Sequence, residues 1–145
     1  MLEAMRILKK IYPNPKRTIL VGHWGSEEQG LNGSRAFVED YPEIIENTQS
    51  VFNQDNGTGR VVKLSGQGFL YSHEFITKWL YKVPRNIFKN IETDFPGLPS
   101  SGGSDYASFV SAGIPAFSLS SLSWDYSSFT SVSYTHLTLP TKNEV

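Results

Sequence analysis

Between Thr18 and Phe37 the chain reads TILVGHWGSEEQGLNGSRAF, and no other stretch restricts its possible folds so strongly. The apolar run Ile19-Leu20-Val21 predicts a buried strand. Gly25-Ser26 turns the chain, and Glu27 and Glu28 then stand side by side. Beyond Gln29-Gly30 the spacing of Leu31, Phe37 and Val38 suits one side of a helix. Carboxylates at a strand-to-helix junction lie on the rim of an α/β sheet, where such folds place their ligands. A simpler reading makes both glutamates solvated first-turn residues, favoured there by the helix dipole.

Composition removes several alternatives. The 145 residues make one domain, and 39% hydrophobic residues suffice for a core. Thirteen basic and 14 acidic residues give a net charge of −1 with neither sign in a long block. That balance offers no electrostatic footprint for nucleic acid or an anionic membrane. No apolar run is long enough to span a bilayer. With no cysteine, disulfides and thiolate zinc sites are excluded, so any metal must be held by His, Asp and Glu.

The N-terminal run MLEAMRILKKIYPNPKR predicts an amphipathic helix. Leu2, Met5, Leu8 and Ile11 form a core-facing stripe, and Pro13 and Pro15 end it. Charges interrupt its apolar residues, which sets it apart from a signal peptide. Arg17 to Trp24 reads as a central strand, and the helix after the Glu-Glu corner runs to about Asp40, closed by Tyr41-Pro42. Gln49 to Gln54 is the next strand and leads into Asp55-Asn56-Gly57-Thr58-Gly59. Asn56-Gly57 signals a tight turn, with Arg60 to Leu64 as the returning strand. In its simplest role Asp55 is an ordinary turn residue.

Phe75, Trp79 and Val83, with Ile76 and Leu80, predict a helix that stops at Pro84. Residues 84 to 103 read as an irregular loop, a kind that often carries function. Ser104 or Asp105 then caps a short helix through Ala112, with Gly113 as its stop, and Ile114 to Leu119 is a buried strand. This alternation predicts an α/β sheet layered with helices, without internal repeat or second domain.

A Ser-His-Asp hydrolase lacks its nucleophile elbow here, since Gly25-Ser26 is followed by Glu27-Glu28. No Gly-rich run precedes a Lys-Ser or Lys-Thr pair, so a phosphate-binding loop is weaker still. A metal site fits better. Glu28 and Asp55 both follow predicted strands, and a parallel sheet would put them on one rim. Two hard oxygen ligands suit zinc when imidazoles complete the shell. Glu27 is then free to act as general base on a metal-bound water.

These residues carry a resemblance. WGSEEQGLNGSRAF resembles the Glu-Glu signature of the co-catalytic di-zinc exopeptidases, metallopeptidase family 28. FNQDNGTGRV resembles their next ligand strand, in the form of the carboxypeptidase Q-like branch. GGSDYASFVSAGIPAFSL resembles their Ser-Asp-His/Tyr segment with the strand after it, and WDYSSFT the run before their last metal histidine. The resemblance implies a three-layer α/β/α sandwich with a mostly parallel central sheet, two zinc ions and removal of terminal residues from a peptide substrate. It implies Glu27 as general base, Glu28 as ligand of one zinc and Asp55 as ligand of the other. Ser104, Asp105 and Tyr106 match a pocket segment beside the substrate or behind the metals. Two zincs about 3.5–4 Å apart would share a bridging water.

The pattern is incomplete. The family's His-x-Asp pair and bridging Asp precede the helix that MLEAMRILKK resembles, so residues 1–130 are expected to be the C-terminal part of a catalytic domain. Residues 131–145, SVSYTHLTLPTKNEV, resemble translated library-adapter sequence and are expected to be a non-native or disordered tail. His136 is displaced from the last ligand position and stands in the wrong context, Thr-His-Leu-Thr. His23 reads as a packed or rim residue and His73 as the start of a helix without a partner.

A zinc ion usually takes about four ligands, three from protein when catalytic. Two carboxylates without imidazole should bind it weakly, and the chain alone is expected to be inactive. A sheet short of strands would expose apolar faces and open edges, which favours self-association. A non-catalytic interaction domain that has lost metal ligands is the alternative, and aminoacyl transfer or cyclisation is a third reading within the family. Secretion or periplasmic export is implied by the resemblance alone.

Overall fold

The computed structural model describes residues 1–55, 59–100 and 103–122. In chain order its elements are α1 (Leu2–Ile11), α2 (Asn32–Asp40), α3 (Pro42–Glu46), β1 (Val51–Gln54), β2 (Val61–Ser65), α4 (Ser72–Leu80), α5 (Arg85–Phe88), β3 (Glu92–Asp94), α6 (Tyr106–Ser111) and β4 (Ala116–Ser121). The four strands form one sheet in the order β1-β4-β2-β3. β1 runs parallel to β4, with Val51 opposite Ala116, and β2 runs parallel to β3. β2 and β4 are antiparallel, with an irregular register between Val61 and Lys63. The sheet is therefore mostly parallel.

Alternation along β4 gives the layers. Ala116 packs with Leu31, Ile45, Tyr106 and Phe109, joined by Trp24, Phe37 and Val51. Its neighbour Phe117 turns to the other side, against Leu64, Ile76 and Leu80, joined by Phe88 and Phe95. Consecutive strand residues point to opposite faces, so β4 is buried on both. α2, α3 and α6 cover one face, and α4 with the segment after it covers the other, a three-layer α/β/α arrangement.

The turn from α6 to β4 shows how local chemistry sets this up. Gly113 adopts φ 81, a left-handed conformation that costs glycine little. It lets the N–H of Ile114 reach the Phe109 carbonyl at 3.0 Å and the Gly113 N–H reach that of Val110 at 2.9 Å. Two carbonyls at the helix end are satisfied, and the chain is aimed straight into β4.

Five expectations are corrected. Residues 17–24 form no strand, and among the described residues no backbone hydrogen bond pairs 18–24 with a neighbour. A strand exists only through its partner, and Ile19 and Leu20 are exposed here. The stripe of α1 faces no core, because none of its residues is buried. β2 does not return beside β1, because β4 lies between them. Residues 84–103 hold α5 and β3, elements too short to show a period, anchored by Phe88, Ile91 and Phe95. No side chain caps α6, since Ser104 Oγ instead accepts a hydrogen bond from Asn53 Nδ2 at 2.9 Å.

Candidate active site

The Glu-Glu corner is wound from its own backbone. The Glu27 carbonyl accepts the N–H groups of Gly30 at 3.0 Å and Leu31 at 2.8 Å. Asn32 donates to the Ser26 carbonyl at 3.2 Å, and Gly33 to that of Gly25 at 3.0 Å. The first N–H groups of α2, which lack partners inside the helix, are thus satisfied by the corner, and no side-chain cap is made. Gly33 is needed for the closeness: a Cβ there would lie 2.6 Å from the Gly25 oxygen. Ser26 at φ 56 and Leu31 at φ 62 bracket the glutamates in left-handed conformations, each costing about 1–2 kcal/mol. Such outliers cluster where structure serves function.

Glu27 and Glu28 consequently precede the first turn of α2, which contains no acidic residue, and the helix-dipole reading fails. Glu27 is half-buried and Glu28 exposed. Both line an open cleft of about 350 Å³ with Gly30, Leu31, Arg35 and Gly103. A larger hollow of about 450 Å³ lies between α2 and α6, but the two glutamates do not line it. The chemistry favours the smaller cleft.

Burial pushes the Glu27 carboxyl above its ordinary value, and the negative charges of Asp55, Glu28 and Asp105 push it further in the same direction. The charges of those three carboxylates therefore reach Glu27 across the cleft. Asp55, exposed, follows the last residue of β1. The Asn53–Ser104 hydrogen bond ties that strand to the segment before α6. Ser104, Asp105 and Tyr106 are all buried, and Asp105 Oδ1 lacks a hydrogen-bond partner. Behind the site a buried contact of 2.8 Å between the hydroxyls of Ser34 and Ser108 joins α2 to α6. Trp24 seats the corner, with ring centroids 4.8 Å from Phe37 and 5.9 Å from Phe109.

Sequence reasoning missed Asn53, Arg35 and Gly103. A signal for Asn53 was present, since it lies two residues before Asp55 and so shares its side of the strand. Arg35 and Gly103 carried none.

The oxygen donors of Glu28 and Asp55 have the chemistry of part of a zinc shell. Among the described residues, however, no three His, Asp or Glu side chains gather closely enough to hold a metal. His23 and His73 are exposed, the latter edge-on to Phe95 with centroids 6.0 Å apart. His136 and Asn56-Gly57 lie outside the described residues, as do Trp124-Asp125-Tyr126 and the whole of 131–145.

Known proteins resemble this arrangement. The probable glutamate carboxypeptidase LAMP1 of Arabidopsis thaliana is 33% identical over 123 residues, covering 73% of this chain and 17% of the relative. Carboxypeptidase Q of Xenopus laevis is 28% identical over 118 residues, covering 81% of this chain and 24% of the relative. The chain thus spans about a fifth of the length of these curated relatives. The crystal structure of a peptidase M28 precursor from Shewanella amazonensis shares the fold, with a TM-score of 0.52 at 18% identity over 66% of this chain and 21% of that one. The sequence profile of Peptidase family M28 matches residues 1–138, and this chain, with its α/β/α fold and its carboxylate-lined cleft, belongs to that family.

Proposed function

We propose that this chain carries part of the catalytic centre of a metallo-exopeptidase that cleaves terminal residues from peptides, with Glu27 as general base. The observation that carries the reading is the state of Glu27: half-buried in the cleft and surrounded by carboxylates that raise its proton affinity. A base whose affinity is moved toward the working pH takes a proton from water and later gives it up more readily than an exposed glutamate. In the reaction Glu27 receives the proton of the attacking water and returns it to the leaving amine. Glu28 and Asp55 would each hold one of two zinc ions, which when bound polarise the scissile carbonyl and acidify water. Ser104, Asp105 and Tyr106, all buried, would lie beside the substrate or behind the metals.

The test uses the complete protein. Glu27→Gln should lower kcat/KM by about 10²- to 10⁴-fold with zinc content unchanged. Glu28→Gln or Asp55→Asn should lose zinc along with activity. Activity retained in Glu27→Gln would overturn the assignment. The 145-residue chain, given zinc, should leave an amino-acid amide or dipeptide intact, and zinc-dependent hydrolysis by it would refute that expectation.

A second reading, a non-catalytic interaction domain, is favoured by one observation, the absence of a three-donor cluster among the described residues. A complete protein that binds no zinc would decide for it.

A further inference from the structure

The balanced charge of the whole chain hides a local imbalance. Residues 70–90 carry Lys78, Lys82, Arg85 and Lys89 against the single acid Glu74. Among the described residues none of these four cations forms an ion pair. Ile76 and Leu80 fix α4 to the sheet. At helical spacing Tyr71, Phe75 and Trp79 fall on another side, with Lys78 and Lys82 beside them. The rings are 86%, 58% and 43% exposed. Lys78 Nζ lies 5.8 Å from the centre of the Phe75 ring.

We propose that this face of α4 docks on an anionic lipid surface. Its exposed rings stand beside lysines without an ion pair among the described residues, so a surface that offers both apolar depth and negative charge suits it. Exposed aromatic rings favour the depth of the headgroups, and lysines beside them reach anionic lipid while their stems cover apolar surface. The packing of Ile76 and Leu80 presents the rings from a rigid body, so little ordering is needed on contact. The proposal stands apart from the peptidase reading, because none of these residues lines the cleft.

Co-sedimentation of the 145-residue chain with vesicles tests it, comparing pure phosphatidylcholine with phosphatidylcholine containing phosphatidylserine. Binding should require the anionic lipid and weaken with salt. Each lysine near such a surface is worth about fivefold in partitioning, so Lys78→Gln with Lys82→Gln should lower it roughly 25-fold. Tyr71→Ser with Phe75→Ser, at exposed positions, should also lower it, with unchanged circular dichroism. Lys9→Gln with Lys10→Gln on α1 should leave it unchanged. Loss of binding in that α1 pair would overturn the proposal, as would binding indifferent to phosphatidylserine. So would a wild-type chain that ignores vesicles, whether or not it dimerises or binds an acidic protein through Phe75.

Discussion

Gly33→Ala sets two effects of opposite sign against each other. Gly33 lies in the first turn of α2, where helix propensity alone would make alanine the better residue by about 1 kcal/mol. The new Cβ, however, would stand 2.6 Å from the Gly25 oxygen and 2.8 Å from its nitrogen, both backbone atoms that no rotamer can move. Relief requires the corner to withdraw from the helix, which stretches the 3.0 Å hydrogen bond from Gly33 to Gly25. Losing that bond costs about 1 kcal/mol, and overpacking at a closed contact about 1–3 kcal/mol more. The costs outweigh the propensity gain, and the net expectation is a loss of about 1–3 kcal/mol. Urea unfolding followed by circular dichroism measures the change. A carbon-detected titration of Glu27 measures the second consequence, a return of its carboxyl toward the ordinary 4.5 as the corner opens and its neighbours recede. A variant that gains about 1 kcal/mol, as propensity alone dictates, would refute the reasoning.

Glu27→Gln should stabilise the chain while impairing the proposed catalysis. The folded state holds the Glu27 proton more tightly than the unfolded state, so this carboxyl favours the fold below its unfolded value. That contribution disappears as the pH rises through the raised folded one. Above that value the substitution should add a few tenths to about 1 kcal/mol, and below about pH 4 it should add nothing. Stability measured at pH 3.5 and pH 7 distinguishes the two regimes, and an equal effect at both would contradict the assignment. Ser34→Ala should cost about 1–3 kcal/mol, by leaving the buried Ser108 hydroxyl without its partner, and Ser108→Ala less, because Ser34 Oγ still donates to the Leu31 carbonyl at 3.2 Å. The double variant should cost less than the sum, and strict additivity would show the pair to be uncoupled.

The elements that were legible in the sequence are those whose residues carry the whole cause within one segment. α4 shows a helical period in Ile76 and Leu80, and α6 with β4 is announced by Gly113, whose left-handed turn fixes the direction of the strand after it. The Glu-Glu corner was legible as a place, because two carboxylates beside Gly25-Ser26 restrict what the chain can do there. Its strain was not, since the left-handed Leu31 is held by burial against α6 and β4 rather than by its own preference. Sheet order was hidden for the same reason. The turn signal at Asn56-Gly57 argues for β1 beside β2, but Ala116 and Phe117 are buried on opposite faces under the two helix layers, which suits β4 to the middle of the sheet. The segment 17–24 has strand composition, but a ladder also needs a neighbour, which composition does not encode.

The position of β4 bears on how the chain is made. β1 and β2 are separated in the sheet by β4, which follows both in the chain, so neither gains its β4 ladder until Ala116–Ser121 has left the ribosome. At about 5–20 residues per second, β2 waits about 3–11 s after Ser65 is added before Ser121 follows. During that interval the edges of β1 and β2 that will meet β4 are open, although β2 can already pair with β3. Slow translation between the two strands would lengthen the period of risk.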